Sequence, residues 1–182
     1  MQAHHYLGFQ GMAGRSLRQV AEAEGRWLAL LGWHAAALMC APRDRWIGWP
    51  RPLHFQRLHL IANSSRFLIL PGVAIPHLAS RVLGMSLRRL SGDWQTYHGH
   101  PLLLAESFVD PTRLRGTCYR AANWLCLGES RGLARHAGQY RHHGQPQTVW
   151  VYPLHRRARP RLCDKDLQAH PWATPPSGPH PG

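Results

Sequence analysis

Two carboxylates and a tyrosine lie close together in the second half of the chain. Glu106 and Asp110 come at the end of a predicted strand, and Tyr119 follows on a predicted helix. Carboxylates in such a position could transfer protons as general acid or base, or hold a metal ion. In the structural alternative, Asp110 caps the following helix and Glu106 pairs with an arginine. We take Glu106, Asp110 and Tyr119 as the candidate catalytic residues.

Arginines are concentrated in the same part of the chain. Between Arg113 and Arg141 six arginines accompany a single acid, Glu129. Guanidinium groups bind phosphate oxygens with two parallel hydrogen bonds, so a dense group of them is typical of a nucleic-acid contact. The candidate nucleic-acid-binding residues are Arg113, Arg115, Arg120, Arg131 and Arg135.

The run RDRWIGW at residues 43–49 places two tryptophans beside two arginines. Such a combination can stack nucleic-acid bases and clamp phosphates. In the structural alternative, Trp46 and Trp49 pack in the core while Asp44 pairs with a neighbouring arginine. The run therefore has two interpretations, binding and packing.

Histidines and cysteines predict no metal site. His4 and His5 are adjacent, whereas metal ligands on a helix stand three or four residues apart. The four cysteines are scattered without a C-x-x-C pair, which argues against a zinc site and indicates reduced thiols. Cys118 has no histidine beside it in the sequence, so it is a poor candidate nucleophile.

Within residues 63–71, small polar residues and Arg66 lead into a strand signal at 66–70, whose end meets a helix starting near His77. A strand followed by a helix N-terminus exposes backbone N–H groups that bind anions. The glycine pair that usually lets a phosphate approach is absent between Gly72 and Arg81. The candidates for binding a phosphate-bearing cofactor are Arg66, Ala79, Ser80 and Arg81.

Hydrophobic spacing and turn residues predict the elements that must position these side chains. The Glu24-Gly25 turn predicts a hairpin, and the prolines at 76 and 111 favour helix starts. The predicted strands cover residues 16–22, 26–40, 66–70, 101–109, 125–127 and 148–152, with a break at 42–44, and the predicted helices cover 77–90 and 111–123. This order predicts an α/β fold with a single mixed sheet flanked by helices.

The chain is strongly basic. Its 182 residues include 22 Lys+Arg against 9 Asp+Glu, a formal net charge of +13, and Lys165 is its one lysine. Residues 1–154 contain 17 arginines and 7 acids, so the predicted folded part itself carries +10. Two alternatives account for the excess of positive charge. The protein could bind an anionic partner, or a GC-rich genome could favour arginine codons.

The composition changes at residue 155. Residues 155–182 are rich in proline and arginine and have no apolar periodicity, which predicts a disordered tail after a single domain at residues 1–154. No run of about 18 apolar residues and no secretory signal is visible. We therefore expect a cytoplasmic protein that does not bind a membrane.

Several blocks of the sequence resemble the Druantia anti-phage defence protein A (DruA) family. They are HHYLG, PRDRWIGW, NSSRFLILPGV, LASRVL, DWQ, LLAESFVD, RGTCYRAANW and LGESRG, which extend over residues 4–154. Relatives also occur with transposable elements and carry a longer N-terminal region, so this copy is expected to be N-terminally short. The resemblance implies a component of a defence system or mobile element. Its partners would be DNA and other defence-system or transposase proteins.

The order of elements is also similar to the acetyltransferase fold of the GNAT superfamily. There, residues 66–70 would form the central strand and residues 77–90 the helix at the cofactor loop. This resemblance implies, as an alternative, an acyl-CoA-dependent transferase in which residues 66–81 hold the pyrophosphate and Glu106 or Tyr119 assists proton transfer. A defence-system or mobile-element component that binds DNA needs no cofactor, whereas the transferase needs acyl-CoA. The two interpretations differ on whether the protein is an enzyme, and the sequence does not decide between them.

Overall fold

The elements of the fold come from a computed structural model that describes residues 15–130, 133–136, 139–142 and 145–169, with side chains described for 15–130 and 145–167. The strands are β1 Ser16–Ala23, β2 Arg26–Ala35, β3 Ile61–Ile69, β4 Leu104–Val109, β5 Leu125–Glu129, β6 Leu133–His136, β7 Gln139–His142 and β8 Thr148–Pro153. The α-helices are α1 Ala41–Ile47, α2 Arg51–Arg57, α3 Leu78–His98, α4 Thr117–Ala121 and α5 Ala158–Cys163. Short 3-10 helices cover Leu58–Leu60 and Lys165–Ala169.

Six strands form one mixed sheet in the order β1-β2-β3-β4-β8-β5, and β6 pairs with β7 in a separate hairpin. β3 and β4 pair in parallel, whereas the other neighbours pair antiparallel. α3 connects the two parallel strands, which cannot be joined by a tight turn. The predicted single mixed sheet flanked by helices is confirmed.

The β1–β2 hairpin follows from its turn residues. Glu24 and Gly25 have φ values of +51° and +71°, the left-handed conformation that a two-residue type I′ turn requires at both positions. That turn fixes the pairing of β1 with β2, in which Val20 lies opposite Leu30. The predicted hairpin is thus present, with β2 ending at Ala35.

Apolar side chains pack on both faces of the sheet, because successive residues of a strand point to opposite faces. On one face α3 buries Leu90 and Trp94 in a cluster that also includes Tyr119 of α4. On the other face Ile47 of α1 and Leu162 of α5 pack in a second cluster. The sheet is therefore covered by α3 and α4 on one face and by α1 and α5 on the other.

A helix occupies the segment predicted as a break at residues 42–44, and the strand before it already ends at Ala35 rather than at residue 40. α1 begins at Ala41 and has Pro42 in its first turn. Proline suits the first turn of a helix, since the N–H that it lacks would have no partner there and its fixed φ is helical. A proline that starts a helix and one that breaks a strand look alike in the sequence.

Several predicted elements have the right type and wrong bounds. The helix predicted at 77–90 continues to His98, and the strand predicted at 101–109 begins at Leu104. β3 begins at Ile61, five residues before its predicted start, because polar residues at 63–65 conceal its first half. The helix predicted at 111–123 is reduced to α4 at 117–121. The residues before α4 form a turn closed by Asp110, whose carboxylate accepts hydrogen bonds from the Thr112 N–H and hydroxyl.

The folded part continues beyond the predicted boundary at residue 154. In α5, Ala158 and Leu162 belong to the second core cluster, and Leu167 is fully buried. Three apolar side chains thus anchor a segment that composition alone marks as disordered. Residues 155–169 are folded, and the rest of the predicted tail, 170–182, lies outside the described residues.

Within the described parts of the chain, no helix has both the length and the apolar character needed to cross a membrane. The same residues contain no group of three or more His, Cys, Asp or Glu side chains that could hold a metal ion. His4 and His5 lie outside the described residues.

Gly116 provides a test of how α4 packs on the sheet. Its φ is +67°, and a Cβ on this residue would lie 2.5 Å from Trp150 Cζ2. Gly116→Ala should lower the free energy of unfolding by about 2–4 kcal/mol, because backbone strain and overpacking add. Urea unfolding followed by tryptophan fluorescence measures this loss.

Gly128→Ala is the matched control. Gly128 has a φ of +93°, but a Cβ there would meet no atom within 4 Å. This variant should lose only about 1 kcal/mol, the cost of the left-handed backbone. Equal losses for the two variants would contradict the close approach of α4 to Trp150.

Candidate functional site

The two parallel strands separate in the middle of the sheet. β3 and β4 pair only through Ile61–Leu104, Ala62–Ala105 and Asn63–Glu106, although β3 continues to residue 69 and β4 to residue 109. At the same level β3 bulges, because Gly32 pairs with Arg66 while the next residue of β2 pairs with Ser64. A bulge bends the strand that contains it. The sheet therefore opens between β3 and β4 beyond Asn63 and Glu106.

Polar side chains surround the point of separation. Asn63 Oδ1 and Ser64 Oγ are buried and have no hydrogen-bond partner. Ser107 Oγ lies 3.2 Å from the Ser64 carbonyl oxygen and 2.9 Å from Tyr119 Oη. Successive residues of a strand point to opposite faces, so Asn63 lies on the Glu106 side of the sheet and Ser64 on the Ser107 side. Since buried polar atoms are nearly always paired, the unpaired Ser64 oxygen offers an acceptor to a molecule bound on the Ser107 side.

The N-terminus of α3 follows β3 and contains three of the four predicted cofactor-binding residues. Ala79, Ser80 and Arg81 form its first turn, and Arg81 is exposed. The first backbone N–H groups of a helix have no acceptor within it and carry partial positive charge, so they attract anions. Arg66, the fourth residue, lies on β3, where its Nη1 donates to the Ser65 carbonyl oxygen at 2.8 Å.

Glu106 lies in a buried ion pair on the opposite face of β4 from Ser107. One carboxylate oxygen accepts the Ala37 N–H at 2.7 Å, and the other accepts from Arg43 Nη1 at 2.8 Å. Both side chains are fully buried. The structure thus places Glu106 in the role of an arginine's partner, the structural alternative considered for it.

Arg43 is held by a second carboxylate. Its Nη2 lies 2.8 Å from Asp44 Oδ1, and its Nη1 also donates to the Ala37 carbonyl oxygen at 2.8 Å. Burial lowers the pKa of Arg43, but Glu106 and Asp44 more than offset this, so the pKa stays above its ordinary value. Arg43 therefore remains a cation in the interior.

The structure supports the packing interpretation of the run at residues 43–49, with Trp46 and Trp49 packed against the second core cluster. Asp44 pairs with Arg43 and accepts the Cys40 N–H at 3.2 Å, as the packing interpretation expects. The Arg43 guanidinium carbon lies 5.7 Å from the centre of the Trp49 ring, and that of Arg159 lies 5.2 Å from Trp46. Both tryptophans are partly buried, so arginine–tryptophan contact here is chiefly intramolecular.

Cys40 and Cys118 are protonated thiols. Burial raises the pKa of Cys40 to about 12, and Glu106 adds to this effect. Burial also raises the pKa of Cys118. Since the thiolate is the nucleophilic form, neither residue is an activated nucleophile.

Asp110 and Tyr119 occupy different surroundings. The Thr112 hydroxyl and N–H hold the pKa of the Asp110 carboxyl below its ordinary value. The Tyr119 ring is buried, with its centre 5.9 Å from that of Trp150 and 5.1 Å from that of Trp124. Tyr119 shares the Ser107 side of the sheet, whereas Glu106 faces α1, so the three predicted catalytic residues do not converge on one site.

The predicted nucleic-acid-binding arginines are described in part. Arg115 and Arg120 are exposed beside α4. The Arg113 side chain is 59% exposed, and its Nε lies 3.6 Å from Asp110 Oδ2. Arg131 lies outside the described residues, and Arg135 lies in β6, where only the backbone is described.

Comparison with family models decides the classification. The model of Druantia protein DruA matches residues 1–138 of the chain. The chain belongs to the DruA family. A search of curated proteins finds no match.

Solved structures show the fold of this DruA-family chain. Aminoglycoside acetyltransferase AAC(6')-Ib in complex with coenzyme A and kanamycin matches with a TM-score of 0.50 at 13% identity, covering 80% of this chain and 70% of that chain. The same enzyme with coenzyme A alone matches with a TM-score of 0.50 at 13% identity, covering 80% of this chain and 69% of that chain. Spermidine N-acetyltransferase from Vibrio cholerae in complex with CoA and spermine has a TM-score of 0.49 at 12% identity, covering 76% of this chain and 66% of that chain. The fold is GNAT-like, as expected.

The polar groups at the strand separation were only partly recognised from the sequence. The NSS run at 63–65 precedes the predicted strand at 66–70, and nothing in its spacing shows that Asn63 and Ser64 are buried without partners. Ser107 appears in the sequence only as a residue of the LLAESFVD block. A polar residue inside an otherwise apolar strand is the signal that could have identified all three.

The Arg43–Glu106 pair provides a prediction for this DruA-family fold. Arg43→Met should lower the free energy of unfolding by about 3–5 kcal/mol, because it leaves the Glu106 carboxylate buried without a cation. Adding Glu106→Gln should recover much of this loss, since the amide still accepts the Ala37 N–H. Urea unfolding of the single and double variants measures the coupling.

Arg89→Met is the control for loss of an ion-paired arginine. The Arg89 side chain is 77% exposed and lies 3.4 Å from Asp93. Its replacement should cost less than about 0.5 kcal/mol, as for other exposed pairs. Strictly additive losses for the two substitutions in the buried pair would contradict the assigned interaction.

Proposed function

We propose that the protein is a component of an anti-phage defence system or mobile element and engages DNA or a nucleoprotein partner through an arginine-rich surface around α4. The observation that carries the proposal is the match of the DruA family model to residues 1–138. Other defence-system or transposase proteins are the expected partners.

The chemistry of the chain supports an anionic partner. Arg113, Arg115 and Arg120 lie within eight residues, and the last two are exposed beside α4. The whole chain has a formal net charge of +13, which favours association with polyanions. Guanidinium groups on such a surface would contact phosphates and leave bases unread.

The α4 surface predicts a defined salt dependence. Replacing Arg115 and Arg120 together with glutamine should reduce the slope of log affinity against log salt by about 1.8, since each phosphate contact contributes about 0.9 on duplex DNA. Fluorescence anisotropy with a labelled duplex at 50–200 mM salt measures the slope.

Arg88→Gln/Arg89→Gln, which removes the same charge from exposed positions of α3, is the matched control. It should leave the slope nearly unchanged. Absence of DNA binding by the unmodified protein, or binding insensitive to salt, would count against the proposed function. Equal effects of the two double variants would show that only net charge matters.

An acyl-CoA-dependent transferase is the second candidate, favoured by the separation of β3 and β4. The residues fit such a cofactor: Ser64 Oγ is a buried acceptor without a partner on the Ser107 side of the sheet, and the α3 N-terminus presents Arg81 with the Ala79 and Ser80 N–H groups. Arg81 and these N–H groups would hold the pyrophosphate, and Ser64 would accept a hydrogen bond from an amide group. Acyl-CoA would supply an activated acyl group.

Tyr119 is the better placed of the two predicted proton-transfer residues. Its hydroxyl shares a hydrogen bond with Ser107 beside the separated strands. Both carboxylate oxygens of Glu106 are already engaged, by Arg43 and Ala37. In this second candidate Tyr119 would hold the proton for the leaving group, while Glu106 keeps α1 in place.

Thermal unfolding tests the second candidate. Acetyl-CoA at 100 times its Kd should stabilise the protein by about 2.7 kcal/mol and raise the Tm by about 5–10 °C. Arg81→Ala should reduce the shift, whereas Arg89→Ala, two turns further along α3, should not. A Tm that does not respond to acetyl-CoA would refute cofactor binding.

A further inference from the structure

α1, α2 and α5 form one surface on the face of the sheet opposite α3. Arg57 Nη2 of α2 donates to the Asp164 carbonyl oxygen, just after α5, at 3.0 Å. The Cys163 thiol of α5 lies 3.5 Å from the Ile47 carbonyl oxygen of α1. These contacts join residues that are more than 100 positions apart in the chain.

Five exposed arginines project from this surface, which we call the arginine face. They are Arg45 of α1, Arg51 of α2, and Arg156, Arg157 and Arg159 at the start of α5. Among the described residues, none of the five lies in an ion pair with a carboxylate. An uncompensated group of this kind attracts a polyanion.

Acidic residues offset the charge of this surface only in part. Residues 41–57 and 155–167 contain nine Lys or Arg and three Asp. Asp44 is occupied by Arg43, and Asp164 caps the turn that follows α5 by accepting the Asp166 N–H at 2.9 Å. Burial and then the nearby arginines lower the pKa of His155, as expected in a positive potential.

Aromatic rings accompany the arginines. Arg159 lies over Trp46, with 5.2 Å between its guanidinium carbon and the ring centre. Phe55 of α2 is 66% exposed, although a phenylalanine gains most by burial. Exposed aromatic rings beside arginines bind single strands, because unpaired bases stack on the ring while the phosphates contact guanidinium groups.

We propose that the arginine face is a second nucleic-acid-binding surface, separate from the one around α4, and that it binds single-stranded DNA. Arg156, Arg157 and Arg159 contact successive phosphates, and Phe55 stacks on a base. The inference shares with the proposed function only the class of partner. Duplex DNA fits this surface less well, since its bases are not available to stack on Phe55.

The test uses the full chain and two fluorescent probes, a 20-nucleotide single strand and the duplex of the same sequence. Replacing Arg156, Arg157 and Arg159 with glutamine should weaken single-strand binding at least tenfold and lower its salt slope by about 2, at about 0.7 per contact. Phe55→Leu should weaken single-strand binding at least fivefold, in keeping with the loss of one stacked base, and leave duplex binding unchanged. Circular dichroism confirms that each variant is folded.

Two further variants separate the outcomes. Arg18→Gln/Arg26→Gln/Arg88→Gln removes three exposed positive charges elsewhere and should change single-strand affinity less than threefold. Arg156→Gln/Arg157→Gln spares the Arg159–Trp46 contact and should still weaken binding, which excludes an effect of misfolding.

Each contrary result has a distinct meaning. Single-strand binding that falls in Arg115→Gln/Arg120→Gln but not in the α5 variants would overturn this inference and leave the proposed function standing. Equal losses of single-strand affinity in the triple variant at Arg156, Arg157 and Arg159 and in the triple control variant would also overturn it. So would an unchanged single-strand affinity in Phe55→Leu. No binding of either probe by the unmodified protein would overturn both.

Discussion

The ion pair between Arg43 and Glu106 joins two parts of the molecule that the chain itself keeps far apart. Glu106 is the last residue of β4 to pair with β3, and Arg43 lies in the helix that covers the sheet at this level. Charges withdrawn from water are tolerated only where their remaining hydrogen-bonding capacity is met. Ala37 contributes its N–H to one partner and its carbonyl oxygen to the other, so the segment before α1 is fixed together with the helix.

This constraint gives the two faces of the sheet different surroundings. On the Glu106 face, Arg43 pairs with Glu106 and Asp44 inside the protein, and α1 is held against the strands. Solvent therefore reaches only the outer side of the helices on this face, which bears exposed arginines. On the Ser107 face, hydroxyl groups and the unpaired oxygen of Ser64 lie beside the separated strands. A fold shared with acetyltransferases therefore has an unpaired polar group beside the separated strands on one face and exposed arginines on the other.

The parts of the fold that could be predicted are those decided by neighbouring residues. Glu24-Gly25 specifies its turn, and the apolar spacing of α3 specifies a helix, because both depend on interactions within a few positions. α1 and α5 could not be recognised, since their helices are short and rest on packing against distant strands. Glu106 was identified as a residue of interest, but its partner is 63 positions away, a separation that carries no sequence signal. Composition is a poor guide to α5 and the 3-10 helix after it, where three buried side chains outweigh the surrounding prolines and arginines.

The place of β8 in the sheet has a consequence for how the chain is assembled. β8 lies between β4 and β5, although β5 precedes it in the sequence by some twenty residues. During synthesis β5 emerges before the strand on which it will pair, so it must wait, unpaired in this sheet, until β8 inserts beside β4. The strand of this sheet that is synthesised last is thus an internal one, between β4 and the edge strand β5. The sheet depends on pairing between segments that are distant in sequence, which favours slow folding.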